Sequence, residues 1–183
     1  LSAAGVRVPT PYNFHDGVLL MELVTDANGE PAPRLDDVEF TAEDARACHA
    51  QLMAEVVRML CAGVIHADLS EFNVLLGGAG PVIIDLPQAV DAAGNNHAQS
   101  MLLRDVRNLS NYFGRYAPEL AATEYGKEIW ALYEGGTLTP DSALTGRFEE
   151  VLQPVDLVSI VREIDDARAE DAARRLRMAE PPR

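Results

Sequence analysis

Three side chains near the middle of the chain have the types and spacing needed for phosphoryl transfer. In Ile65-His66-Ala67-Asp68-Leu69-Ser70-Glu71-Phe72-Asn73-Val74-Leu75, an aspartate stands five positions before an asparagine. A second aspartate, Asp85, closes the β-branched run Val82-Ile83-Ile84. Phosphoryl transfer asks a protein for little covalent chemistry. The triphosphate must be held, its charge met by metal ions, and an acceptor hydroxyl placed in line. Asp68 has the type and place of the base that orients this hydroxyl. Asn73 can reach back to a metal from the far end of the same loop. Asp85 is the stronger ligand, because an ionised carboxylate is a hard oxygen donor suited to magnesium. Each residue taken singly reads as a cap, a turn or a strand terminator; their order, with apolar runs between them, points to a site. His66 reads as a structural brace of the loop.

The flanking elements explain how these groups could converge. Thr41 is a good N-cap, and Glu43 and Asp44 place negative charge in the first turn. Ala45, Cys48, Leu52, Val56, Met59 and Leu60 then recur at helical spacing, and Gly63 supplies a stop. That helix delivers the chain directly into the loop. Val74-Leu75-Leu76 and Val82-Ile83-Ile84 flank Gly77-Gly78-Ala79-Gly80-Pro81 and predict a hairpin that returns Asp85 beside Asn73. The glycines are not a phosphate cradle, since a β-branched run follows them and not a helix N-terminus. Gly17 to Val24 predicts a buried strand, preceded by a Pro- and Gly-rich connector over Leu1 to Asp16 with a short strand near Val6 to Val8. Asp26 to Asp37 reads as a turn-rich link. Helices are expected from His97 to Tyr116, from Pro118 to the residue before Gly135-Gly136, and from Val155 to Met178. The last is an arginine-, glutamate- and alanine-rich surface segment from Ala167. The fold class is α+β, mostly helical.

Composition narrows the function classes. The chain has 183 residues, is 48% hydrophobic and carries a formal net charge of −14. Such acidity disfavours direct binding of nucleic acid by this chain. No apolar run reaches the length of a membrane span. Cys48 and Cys61 fall in one predicted helix, roughly 20 Å apart at 1.5 Å per residue, too far for a disulfide. A reducing, cytoplasmic setting follows as the expectation. Lys127 is the only lysine, and it is expected on the surface of a distal helix.

His66-Ala67-Asp68-Leu69-Ser70-Glu71-Phe72-Asn73 closely resembles the catalytic loop of the RIO family of atypical protein kinases. Ordinary protein kinases have arginine where Ala67 sits and lysine where Ser70 sits. Ile84-Asp85-Leu86-Pro87-Gln88-Ala89-Val90 looks like the family's metal-binding loop, and His97 with Arg104-Asp105-Val106-Arg107-Asn108 looks like its following helix. The likeness runs over most of Gly17 to Phe113 and is strongest to bacterial members of the type-one branch. It implies a protein-kinase-like C-terminal lobe with a short hinge strand and a small catalytic and metal-loop hairpin. Residues 1–30 would be the last strand of the N-terminal lobe and the hinge, and residues 31–183 the C-terminal lobe with a helical extension from about 155. The implied activity is transfer of phosphate from ATP, with magnesium or manganese, to a serine of an unknown protein, or ATP hydrolysis by the same groups. Asp68 would be catalytic, with Ser70 near the transferred phosphate or acceptor. Asn73 and Asp85 would bind metal. Met21, Glu22, Leu23 and Val24 would form the hinge against the adenine edge, and Leu75 the apolar floor beneath it, with Ile84 in the same nucleotide site. Asp105 would accept hydrogen bonds from the catalytic-loop backbone. Pro87 departs from the serine of eukaryotic and archaeal members.

The lysine that grips the α- and β-phosphates in this architecture lies before the hinge, where this chain has none. The N-terminal lobe is therefore expected to be missing and the chain alone to have little activity. Two other readings remain open on sequence. One is a small-molecule phosphotransferase of the aminoglycoside or choline kinase type, although Ala67 and Ser70 depart from that loop. The other is a non-catalytic, nucleotide-sensing scaffold lobe.

Overall fold

The computed structural model describes residues 1–149. The helix expected over Val155 to Met178, and with it the proposed C-terminal extension, lies outside them. Leu1–Phe148 forms one compact unit. In chain order its elements are β1 (Pro11–His15), β2 (Val18–Met21), α1 (Ala42–Cys61), β3 (Val64–Ile65), β4 (Val74–Gly77), β5 (Gly80–Ile83), β6 (Val90–Asp91), α2 (Ala98–Phe113) and α3 (Tyr125–Glu134). Short 3₁₀ turns fall at Leu35–Asp37, Glu71–Asn73 and Pro118–Ala122, among others. The strands make three separate antiparallel pairs, β1 with β2, β3 with β6 and β4 with β5. The architecture is α+β, with a helical core and small two-stranded ribbons.

α1 begins where the cap chemistry places it. Thr41 Oγ1 accepts from the Asp44 N–H at 3.1 Å and donates to the Asp44 carboxylate at 2.7 Å. Gly63, at φ 76°, takes the left-handed turn that ends the helix. Leu52, Met53, Val56 and Leu60 of α1 are buried with Leu102, Val106, Leu109 and Phe113 of α2 and Ile129 of α3. Met101 of α2 is only half-buried. The β4–β5 hairpin has the predicted register, with Val74 opposite Ile83 and Gly77 opposite Gly80.

Three expectations need correction. The strand in the N-terminal connector is Pro11–His15, and Val6–Val8 is not a strand. Tyr12 and Phe14 alternate with Asn13 and His15 there, and Pro11 sits at the strand start, where its missing N–H is tolerated. β2 is a strand but not a buried one: Val18, Leu19, Leu20 and Met21 are all exposed. A two-stranded ribbon has no second layer of its own to bury either face, and the described residues supply none. The segment from Pro118 is not one helix but a 3₁₀ turn, then Thr123 and Glu124, then α3. Thr123 ends the turn by donating its hydroxyl to the Leu120 carbonyl at 2.7 Å.

The core contains a histidine whose burial has a clear energetic signature. His49 of α1 is 1% exposed, and its Nε2 lies 3.0 Å from Ser110 Oγ of α2. Phe113 of α2 and Tyr125 of α3 pack on its ring. Burial pushes its pKa down to about 4. The unfolded chain, at about 6.5, therefore takes up this proton before the folded chain does, so stability falls as pH drops from about 6.5 to 4. Urea denaturation at about pH 7 and about pH 4.5 should show this loss, and His49→Gln should reduce the pH-dependent part by an amount on the order of 2–3 kcal/mol. An equal pH dependence in the variant would contradict the assignment.

Candidate active site

The loop that carries Asp68 is held by its backbone. β3 pairs with β6 through Val64 and Ile65, which fixes where the loop leaves the core. His66 is 2% exposed, and its Nε2 lies 2.9 Å from the Ile84 carbonyl. Because the partner is a carbonyl oxygen, Nε2 carries the proton. His66 Nδ1 has no partner among the described residues.

Ala67 follows at φ 67°, a left-handed conformation that costs a residue with a side chain about 1–2 kcal/mol. Its two backbone groups are both clamped by α2. The Ala67 N–H donates to Asp105 Oδ2 at 2.8 Å, and the Arg104 guanidinium donates to the Ala67 carbonyl. Leu69 is held in the same way. Its N–H donates to Asp105 Oδ1 at 3.1 Å, and the Asn108 amide donates to its carbonyl at 3.1 Å. Asp105 is 1% exposed. Burial pushes its carboxyl up, against the N–H groups of Leu69 and Ala67 and the charges of His66 and Arg104, which pull it down. Arg104, Asp105 and Asn108 share one helical face by their spacing.

Asp68 lies between the two clamped residues with an exposed side chain. Its carbonyl accepts from the Asn73 amide nitrogen at 2.9 Å. Asn73 Oδ1 takes no hydrogen bond among the described residues, which leaves it available as a ligand. Ser70 precedes the 3₁₀ turn that contains Asn73, and its carbonyl accepts the Asn73 N–H at 3.0 Å. On the other side of the hairpin, the Ile84 N–H donates to the Asn73 carbonyl at 3.0 Å. Ile84 is thus tied to Asn73 through its N–H and to His66 through its carbonyl. Asp85 comes next at φ 64°, a second strained position. A residue so placed persists only where the surroundings over-determine it.

The donor set suits a hard divalent cation. Among the described residues, neither the Asp68 nor the Asp85 carboxylate takes a hydrogen bond or ion pair. With Asn73 Oδ1 they offer oxygen only, as magnesium prefers. No group of three or more His, Cys, Asp or Glu side chains among the described residues could cage a metal.

The expected hinge residues run from Met21, the last residue of β2, to Val24. Glu22 gives its N–H to the Thr10 carbonyl at 2.8 Å, and its carboxylate accepts the Thr10 N–H at 3.0 Å. Val24 gives its carbonyl to the Ala32 N–H at 3.0 Å. The Glu22 carbonyl and the Val24 N–H have no partner among the described residues. Met21 and Leu23 are exposed, whereas Leu75 and Ile84 are half-buried. Leu75 forms an isolated antiparallel bridge with Arg34. Sequence reasoning missed the clamping roles of Arg104 and Asn108. Their signal was the polar spacing around Asp105 on an otherwise amphipathic helix.

The geometry is that of a kinase-like lobe, and similarity to known proteins agrees. The RIO domain family matches residues 1–125, and the chain belongs to that family. It is 39% identical over 112 residues to the RIO-type serine/threonine-protein kinase Rio1 of Haloferax volcanii, covering 61% of this chain and 37% of that protein. It is 35% identical over 118 residues to the human serine/threonine-protein kinase RIO1, covering 64% of this chain and 20% of the relative. With the Rio1 of Thermoplasma acidophilum the identity is 36% over 119 residues, covering 65% of this chain and 60% of the relative. The chain therefore matches less than two thirds of the length of each of these proteins.

The clamp makes a direct prediction. Asp105→Ala leaves two buried N–H groups without an acceptor, and hydrogen bonds to a charged group are worth about 1.5–3 kcal/mol each. Hydrogen exchange at the amides of Ala67 and Leu69 should accelerate strongly in that variant, while amides in the middle of α1 change no more than global stability requires. Unchanged protection at both loop amides would refute the clamp.

Proposed function

We propose that this chain carries the catalytic and metal-binding part of an ATP- and magnesium-dependent protein serine kinase or ATPase of the RIO type. The observation that carries the reading is Asp68. Its carboxylate is unspent and exposed, yet the residues on either side of it have both backbone groups fixed by α2. A group aimed by its backbone and left free at its tip is what orienting an acceptor hydroxyl requires. Ser70, at the start of the following turn, would contact the acceptor or the transferred group.

Asn73 Oδ1 and Asp85 would hold magnesium, or manganese, against the phosphates. A bound divalent ion would neutralise the charge that develops on the transferred phosphoryl group. The Glu22 carbonyl and Val24 N–H would read the adenine edge, flanked by Met21 and Leu23, with Leu75 and Ile84 supplying the apolar side of the base. The substrate would be a serine of a protein. Among the described residues no helix is long and apolar enough to cross a membrane, and Cys48 and Cys61 are free thiols, which supports a reducing, cytoplasmic setting.

Two substitutions separate the roles. In the natural protein, Asp68→Asn should lower kcat for ATP turnover by about 10²–10⁴ and change the affinity for magnesium-ATP little. Asp85→Ala should instead remove the magnesium dependence of ATP binding, measured by calorimetry with and without the metal. Turnover unchanged by either substitution would sink the proposal. ATP binding that ignores magnesium in the unsubstituted protein would favour a nucleotide-sensing scaffold.

A further inference from the structure

A groove of about 220 Å³ runs between α2 and α3, away from Asp68 and Asp85 in the chain. Arg104, Val106, Arg107, Ser110, Glu124 and Lys127 line it. Three of these are cations and one is an anion, in a chain whose formal net charge is −14. Lys127, the only lysine, lies here. Sequence reasoning gave it a plain surface role, but the fold brings it beside two arginines from α2. The volume is below the roughly 300–1,000 Å³ typical of pockets for drug-sized ligands, which suits a small charged group.

The cations are incompletely satisfied. Glu124 Oε2 lies 3.2 Å from Lys127 Nζ, and Glu124 Oε1 lies 4.0 Å from an Arg107 guanidinium nitrogen. Arg107 makes no closer polar contact among the described residues. One carboxylate thus stands opposite Arg107 and Lys127 together, with the Arg104 side chain also in the wall. Exposed pairs of this kind are worth about 0–1 kcal/mol, so an incoming anion displaces Glu124 at small cost. A phosphorylated side chain carries about −1.5 to −2 charges at neutral pH, which matches the surplus better than a second carboxylate does. Arg107 and Lys127 keep 55% and 49% of their side-chain surface exposed. The groove mouth is therefore open to a group attached to another chain.

We infer that this groove binds the phosphoryl group of a phosphorylated serine on a protein partner, with Arg107 and Lys127 as its main contacts and Glu124 as an internal occupant. The inference stands apart from the proposed turnover, because binding is read with no nucleotide present. Arg104 also holds the Ala67 carbonyl, so the test leaves it unchanged.

The experiment is calorimetric titration of this chain with a short peptide of glycine and alanine bearing one phosphoserine. The same peptide without phosphate and inorganic phosphate serve as the other probes. The phosphopeptide should bind saturably, the unphosphorylated peptide should not, and inorganic phosphate should compete. Arg107→Gln with Lys127→Gln should weaken binding by about tenfold or more, because both charged donors are lost. Glu124→Gln should tighten it severalfold, an opposite change that misfolding does not produce. Circular dichroism confirms that each variant folds. The inference is overturned if there is no saturable binding, if the unphosphorylated peptide binds equally, if only inorganic phosphate binds, or if Glu124→Gln weakens binding.

Discussion

The site depends on one buried carboxylate. Asp105 sits on α2, almost wholly removed from water, and accepts the N–H groups of two residues that flank Asp68. A charge in such a place is costly unless hydrogen-bonded and paired. Here the loop backbone supplies the donors, and Arg104 supplies a nearby positive charge while holding the Ala67 carbonyl. The exchange is mutual. The loop satisfies Asp105, and Asp105 with its neighbours holds Ala67 in a backbone conformation that a residue with a side chain otherwise avoids.

A second network ties the loop that carries Asp85 to the loop that carries Asp68. Ile84 is bonded to Asn73 through its N–H and to His66 through its carbonyl. The residue before it, Ile83, donates to the Arg7 carbonyl at 2.9 Å, and the Arg7 N–H donates to Glu55 at 2.9 Å. Glu55 is itself 4% exposed and paired with Arg58 at 2.7 Å. The chain before β1, the hairpin and α1 are thereby joined through the Glu55 carboxylate and the backbone groups of the two residues before Asp85. Of the three non-glycine residues with positive φ among the described residues, Asp16, Ala67 and Asp85, the last two lie beside these networks, and the candidate site side chains lie at or next to them.

Much of this was legible in local signals. α1 could be read from Thr41, the apolar spacing and Gly63, because caps and stops act within a turn or two of the chain. The hairpin could be read from its glycines and the two β-branched runs. The exposure of β2 could not. An apolar run signals that something should cover it, but not whether a covering layer is present. The break at Thr123 was hidden because Pro118 starts an α-helix and a 3₁₀ turn equally well, and the choice rested on a side-chain bond to Leu120.

The sequence by itself determined which groups could do chemistry. Asp68, Asn73 and Asp85 carry their chemical types wherever they lie, and their order within a short stretch limits how far apart the chain can hold them. Only the tertiary structure decided which helix supports the loop. Arg104 and Asn108 meet backbone groups 37 and 39 positions earlier in the chain. Contacts at that separation depend on how α2 packs against the core, and a backbone carbonyl leaves no mark of its own in the residue sequence. The same packing brings Lys127 of α3 beside Arg107 of α2, so the groove too is a property of the fold and not of any one segment.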